Sequence, residues 1–320
     1  MKIAILASGG NSQAMNNTII TIVDQAIKNK IKVELIRDGY KGLINEWFIP
    51  ADPVFLDNFV NRGNVVIGSA RCLEFLKPEV QAKAAKILKQ HKIDVLIVIG
   101  GDGSYNGAYK LSLLGAKVIT LPGTIDNDIA STEYSIGFDT SLNQIVNSLD
   151  ALKDSFGSHD GICFCEVMGR HYSDLAIRSC IANHCQAVVT IDNVKTAAQF
   201  AKIAQQAMAN GVRGVMFIVT ENIYGKNGLP SLEQIAKEVE TITGNGMCRA
   251  VVLAHIQRGG TTVASDRFKS SLMGAYAITC VKNNQLNVAI GLKHDALITT
   301  PIDKAVTMPR KKHNFYFLEE

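Results

Sequence analysis

Short unbroken runs of Val, Ile and Leu recur along this chain, each followed by a segment of helical periodicity. That alternation restricts the fold more than any other feature. "KIAILA" leads into residues 14–30, where Met15, Ile19, Ile22, Val23, Ala26 and Ile27 fall on one helical face. "DVLIVIG" precedes a glycine loop and "SYNGAYKLSLLG"; "KVITLPG", "GICFCEV", "AVVTI", "GVMFIVTE", "RAVVLAH" and "NVAIGL" continue the series. Helical stretches such as "SLNQIVNSLDALKDSF" and "AAQFAKIAQQAMANG" lie between them. A strand without polar alternation is buried on both faces, as in a parallel sheet flanked by helices. The expectation is an α/β chain of two doubly wound, Rossmann-like domains with mainly parallel sheets, the first ending near residue 138. The 320 residues exceed one ordinary core.

Ligands of such sheets sit beyond the carboxyl ends of the strands. The unusual residues gather there: Gly9-Gly10, Gly100 to Ser104, Thr124 to Asp128, Met168 to Arg170, Glu221, and His255 to Gly260. A net charge of +4 is too weak for tracking along nucleic acid and suits small anions at a local site. The basic cluster "PRKKH" near the tail reads as a solvated end. No apolar run approaches the roughly 20 residues needed to cross a bilayer, and five apolar residues before Ser8 are too few for a signal-peptide core. A cytoplasmic address is expected, with no nucleic-acid or membrane partner. The seven cysteines read as reduced thiols; Cys163 and Cys165 alternate around Phe164 and share one strand face, with no second pair at zinc-finger spacing.

In "VIGGDGSYNGA", Gly100, Gly101, Asp102, Gly103 and Ser104 stand between a strand and a helix. Glycines let the backbone approach an anion, and a helix amino end presents N–H groups to it. Asp102 is placed to hold Mg²⁺ against phosphates. The same spacing fits a tight turn with Ser104 as helix cap. "SGGN" repeats the strand-to-glycine pattern at residues 8–11, and "SAR" brings Arg71. "LPGTIDNDIAS" sets Thr124, Asp126 and Asp128 just past a strand, which reads either as a turn built from side-chain oxygens or as a proton-accepting site. "VMGRHYSDLA" and "AHIQRGG" add Arg170, His255 and Arg258, with Arg249 upstream. Arginine grips a phosphate through two N–H groups at once.

Taken in order and spacing, "GGDGS", "PGTIDND", "MGR" and "HIQRGG" resemble the ATP-dependent 6-phosphofructokinases of the bacterial type over essentially the whole chain. The resemblance implies a first, nucleotide-binding domain of residues 1–138 with 251–300. It implies a second, sugar-phosphate-binding domain of 139–250 with 301–320, and a homotetramer binding fructose 6-phosphate at a subunit boundary. By the same resemblance Asp126 is the base for the sugar 1-hydroxyl, with Thr124 and Arg170 stabilising the transferring phosphate. Asp102 is the magnesium-associated aspartate. Gly10, Arg71, Cys72 and Gly101, Asp102, Gly103, Ser104 contact ATP. Thr124, Ile125, Asp126, Met168, Gly169, Arg170, Glu221, Arg249, His255 and Arg258 line the sugar-phosphate site. Pyrophosphate-using relatives typically carry Asp at the place of Gly103 and Lys at that of Gly123; glycine at both points to ATP.

Three departures qualify the likeness. Asn11 stands where the family usually has Asp, and with Ser12 it is expected to cap the following helix. Gly161 replaces a common arginine that reaches the neighbouring subunit's sugar phosphate. At the places where relatives bind effectors stand Ile20, Asp24, Pro53, Gln186 and Val212, leaving Lys153 and Arg213 to meet an anion. Weakened sugar-phosphate binding and weak allosteric control follow as expectations, and the competing class is a non-catalytic or regulatory paralogue.

Overall fold

In the computed structural model, which describes residues 1–309, the elements run in the expected alternation. The strands are β1 (Lys2–Ser8), β2 (Lys32–Ile36), β3 (Phe48–Pro50), β4 (Val95–Gly100), β5 (Val118–Pro122), β6 (Ile162–Val167), β7 (Ala187–Val189), β8 (Val215–Thr220), β9 (Cys248–Val252), β10 (Val288–Lys293) and β11 (Ala296–Pro301). The helices are α1 (Met15–Lys28), α2 (Gly39–Ile44), α3 (Pro53–Asp57), α4 (Pro78–Gln90), α5 (Asp102–Leu113), α6 (Phe138–Gly157), α7 (Asp174–Ala182), α8 (Ala197–Ala209), α9 (Leu232–Thr243), α10 (Ala264–Lys282) and α11 (Ile302–Thr307). The "PRKKH" cluster lies, beyond Pro309, outside the described residues.

The chain packs as two units. Among the described residues, unit 1 takes in residues 1–140 and 258–309, and unit 2 spans 141–257. The resemblance placed these crossings at 138 and 251 and returned 301–320 to the second domain, whereas β11 pairs with β10 as far as Pro301, opposite Val288, and residues 301–309 stay in unit 1. β9 pairs in register with β6, Ile162 opposite Cys248, which keeps the chain in unit 2 past residue 251.

Unit 1 holds a seven-stranded sheet in the order β11-β10-β5-β4-β1-β2-β3. Its central pairs are parallel, and the edge strands β3 and β11 run antiparallel to their neighbours. The side-chain period of two divides each central strand between two cores. On β1, Ile3, Ile5 and Ala7 join α1 and α10 on one face, while Ala4 and Leu6 join α2, α4 and α5 on the other. Both faces need apolar residues, hence the unbroken runs. Unit 2 has an all-parallel four-stranded sheet, β7-β8-β6-β9. Its core centres on Phe164, Phe200 and Phe217, with ring centroids 4.9–5.0 Å apart.

The amino end of α6 is capped from a distance. Asp266, fully buried on α10, accepts hydrogen bonds from Gly137 N (2.9 Å) and Thr140 N (2.6 Å). Burial pushes its carboxyl up to about 7, against the downward pull of the two backbone N–H groups and Lys269. A carboxyl whose folded pKa exceeds its ordinary value binds its proton more tightly in the folded state. Its contribution is therefore complete below about pH 4 and is lost as pH rises toward 7. Thermal melts of wild type and Asp266→Asn across pH 4–8 read this directly. The wild type is expected to lose stability relative to the variant as pH rises to about 7, and a constant difference rejects the shift. Asp266→Ala orphans both N–H groups, at roughly 1–3 kcal/mol each.

Candidate active site

In unit 1 the parallel register sets three loops side by side. Ser8 lies opposite Gly100, and Gly100 opposite Pro122, so the chain leaves β1, β4 and β5 at one level. Gly10 follows β1, Gly101 to Ser104 follow β4, and Thr124 to Asp128 follow β5. A fourth segment joins them through a parallel bridge between Ser8 and Ala70 and a bond from Gly9 N to Ala70 O (3.2 Å), which puts Arg71 and Cys72 beside the glycines.

Gly100 is required by packing. A Cβ on Gly100 would stand 2.6 Å from Ser8 O. A Cβ on Gly101 would come within 3.6 Å of the Thr124 side chain, so this loop and the Thr124 loop are direct neighbours. Helix α5 starts at Asp102, with Gly101 as its N-cap. Ser104 is therefore not the cap: its hydroxyl donates to Ser8 O (3.1 Å) and ties the first two loops together. The amino end of α5, with its partial positive charge, opens at Gly101–Gly103. Sequence reasoning missed Tyr40, whose hydroxyl donates to Ser104 O (2.7 Å) and whose ring stacks on Phe75 at 4.1 Å.

The Thr124 loop is a turn built by a side chain, since Asp126 N donates to Thr124 Oγ1 (3.2 Å). Asn127 takes φ 50°, a left-handed conformation that asparagine tolerates, between two acids. Ile125 is fully buried and anchors the loop, while Thr124 and Asp126 keep 8% exposure. Helix α1 is not capped as expected. Its N-cap is Ala14, with no side-chain bond. Ser12 Oγ instead donates to Ile136 O, and Asn11 Nδ2 donates to Arg258 O (3.0 Å). Arg258 returns a bond from its guanidinium to Asn11 O (2.9 Å), beside Gly10. Arg258 thus belongs to the glycine-loop side of the molecule.

Unit 2 carries the remaining residues. Met168, Gly169 and Arg170 form a turn after β6, closed by Tyr172 N donating to Gly169 O (2.8 Å). Arg170 has φ 56°. Glu221, just past β8, holds the turn: its Oε1 accepts from Gly169 N (3.2 Å) and Arg170 N (2.8 Å). Gln257, fully buried, was quoted inside "HIQRGG" but not singled out. Its Oε1 accepts from Met168 N (2.9 Å) and its Nε2 donates to Ala254 O (2.9 Å). Its signal was a glutamine inside an otherwise cationic motif. His255 is exposed in the short 3₁₀ turn after β9. Arg249 is exposed and pairs with Glu240 at 3.4 Å while donating to Cys248 O (2.7 Å).

The two glycines that the resemblance ties to the choice of phosphoryl donor differ sharply. No atom lies within 4 Å of a Cβ built on Gly103, whereas one on Gly123 would meet Met15 Cε at 2.6 Å and Ile99 Cγ2 at 2.9 Å. Gly103→Asp is expected to change unfolding free energy by no more than about 0.5 kcal/mol. Gly123→Lys should cost about 1–3 kcal/mol through overpacking. Urea titrations of both variants check this; equal stabilities contradict the packing.

Comparison with known proteins gives a consistent picture. The profile of the phosphofructokinase family matches residues 2–281. The chain is 45% identical to the ATP-dependent 6-phosphofructokinase of Mycoplasma mobile over 98% of its own length and 95% of that protein. It is 40% identical to the enzyme of the same name from Mycoplasmopsis pulmonis, over 97% and 94%. Among solved structures it superimposes on Pichia pastoris phosphofructokinase in the T-state with a TM-score of 0.89 and 27% identity, over 96% of this chain and 35% of that one.

Proposed function

The chain belongs to the phosphofructokinase family, and from that premise we propose that it transfers the γ-phosphate of ATP to the 1-hydroxyl of fructose 6-phosphate. The observation that carries this reading is the cradle in unit 1, where a glycine-lined helix amino end lies against the loop bearing Thr124 and Asp126. Relatives of near-equal length are named ATP-dependent 6-phosphofructokinases.

Gly10, Arg71, Cys72 and Gly101 to Ser104 are assigned to ATP. Asp102 is the residue that would hold Mg²⁺. The cleared space beside it at Gly103 suits a cation bound by one carboxylate and by phosphate oxygens. When bound, the ion supplies neutralisation of phosphate charge. Asp126 accepts the proton that the sugar hydroxyl loses on attack. Thr124 and the Arg170 guanidinium stabilise the transferring phosphoryl group. Ile125, Met168, Gly169, Glu221, Arg249, His255 and Arg258 are assigned to the sugar phosphate. Glu221 spends one oxygen on the turn and offers the other to a sugar hydroxyl. A homotetramer with sugar-phosphate sites at subunit boundaries, and a cytoplasmic location, belong to the same proposal. Among the described residues no helix is long and apolar enough to cross a membrane.

A coupled assay for fructose 1,6-bisphosphate tests the assignment. Asp126→Asn should keep its melting temperature and lose turnover roughly a hundred- to ten-thousandfold. Near-normal turnover removes Asp126 as the base, and activity with pyrophosphate alone removes ATP as the donor.

Two departures bear on how the enzyme saturates and responds. Gly161 is buried, and a Cβ there would stand 2.9 Å from Phe156 Cδ1 and 3.1 Å from Met247 O, so the backbone offers no room for the family's arginine without displacement. One lost charge-assisted bond to phosphate is worth roughly 1.5–3 kcal/mol. The KM for fructose 6-phosphate should therefore exceed that of an arginine-bearing relative by about ten- to a hundredfold. The two cations left for an effector are engaged as well: Lys153 donates to Asn183 O (3.0 Å), and Arg213 grips Asp160 at 2.6 and 3.2 Å. In side-by-side saturation curves, ADP and phosphoenolpyruvate should each shift the midpoint less than twofold; strong activation by ADP would overturn the weak-control reading.

A further inference from the structure

The five cysteines of unit 2 are not equivalent. Cys163 and Cys165 on β6, Cys180 on α7 and Cys248 on β9 are buried, whereas Cys185 is only partly buried. Helix α7 ends in a left-handed residue, His184, with φ 50°. Beyond it Cys185 N donates to Cys180 O (3.0 Å), and His184 N donates to Ile181 O (3.2 Å). This pair of bonds defines a Schellman motif, which sets the side chains of residues 180 and 185 against each other, usually as an apolar contact. Here both are thiols. Cys180 Sγ lies 3.8 Å from Cys185 O.

The surroundings favour charge on one sulfur of the two. The hydrogen bond from Cys180 holds the Cys185 thiol below its ordinary range; burial opposes it, Lys153 assists and Asp150 opposes. Lys153 and Asp150 project from α6 and are fixed by Asn183, whose carbonyl takes the ammonium at 3.0 Å and whose amide donates to Asp150 at 2.6 Å. On β6 the thiols behave oppositely, with burial pushing Cys163 up to about 12 and Cys165 higher still. A buried thiol that packs as a small hydrophobe describes those two. It does not describe Cys185, a partly buried residue near the Lys153 ammonium and set against a second thiol by the turn, the setting of reactive cysteines. Among the described residues no group of three or more His, Cys, Asp or Glu is placed to hold a metal ion.

We propose that Cys185 is an oxidative modification site that reacts with hydroperoxides, with Cys180 as its resolving thiol. The Cys185 thiolate attacks one peroxide oxygen, the O–O bond breaks, and the departing hydroxide takes a proton from solvent to become water. Sulfur is oxidised by two electrons to the sulfenic acid, and the peroxide is reduced. The Cys180 thiol then attacks that sulfur: the S–S bond forms, the S–O bond breaks, and the Cys180 proton leaves with hydroxide as a second water. The product closes the turn covalently and pins Asn183 and Gln186, whose side chain accepts from Met216 N at 2.7 Å.

The test uses the full chain, hydrogen peroxide near equimolar with protein, and alkylation after denaturation. Trypsin releases Cys180 and Cys185 together on the peptide 179–195, and Cys163 with Cys165 on the peptide 154–170. The first peptide is expected to lose two hydrogens and resist alkylation, while the second alkylates completely. In Cys180→Ser the reaction stops at a Cys185 sulfenic acid that a 1,3-dione traps. Oxidation appearing first at Cys72, Cys163 or Cys165, or an unchanged 179–195 peptide, overturns the proposal. The untreated wild type gives a readout independent of variant folding: iodoacetamide at neutral pH should label Cys185 roughly tenfold faster than the partly buried Cys72. Equal rates reject the activated thiol.

Discussion

The register of three parallel strands governs the loops gathered at the carboxyl edge of the unit 1 sheet. Because β1, β4 and β5 end at one level, their loops must occupy one shelf, and each has to give way to its neighbours. Gly100 has no space for a side chain between Ser8 and Ser104, and Gly123 none between Met15 and Ile99. Ser104 then converts proximity into fixation by bonding across to Ser8. Under the proposed function, the phosphates of ATP would meet a helix amino end already fixed by these bonds, the condition under which electrostatic stabilisation is strongest.

Much of this was legible in the chain because the central strands of a doubly wound sheet are apolar on both faces. The runs in β1, β4, β5, β6 and β8 announced themselves, and the residues just past them are the ones proposed for the site. Elements at the margins were silent for physical reasons. β2, "KVELI", and β11, "ALITTP", are only partly covered and mix polar with apolar positions. Helix α10 buries Asp266 and Ser270 along with Met273, Ala277, Ile278 and Val281, so its inward face mixes polar with apolar residues and its periodicity is faint. The caps misled in a similar way. Ser12 and Ser104 look like cap residues by type, yet each spends its hydroxyl on a carbonyl of a neighbouring segment, a choice set by tertiary register and invisible in spacing.

Several residues quoted for chemistry turn out to support other residues. Glu221 and Gln257 accept from successive N–H groups of Met168, Gly169 and Arg170, and so hold a turn whose Arg170 takes a left-handed backbone. Such backbone costs of order 1–3 kcal/mol and persists only where the surroundings over-determine it. Three acceptor bonds from two buried or half-buried side chains meet that requirement. Sequence spacing identifies the turn; only geometry identifies its scaffold.

The same distinction explains the most conspicuous departure from the family pattern. Asn11 lacks the charge of the usual aspartate, but its amide donates to Arg258 O while Arg258 donates back to Asn11 O. A carboxylate at residue 11 has no N–H to give and would meet the Arg258 carbonyl with a like partial charge. Asparagine supplies the donor, so here the first glycine loop is locked to the "HIQRGG" strand-end by a reciprocal pair of backbone-directed bonds. That lock places the Arg258 guanidinium against Gly10, where a Cβ would stand 3.1 Å from its nitrogen. Loss of charge at position 11 is therefore coupled to a gain of positional control over a cation, and the substitution reads as a rebuilt loop rather than a decayed one.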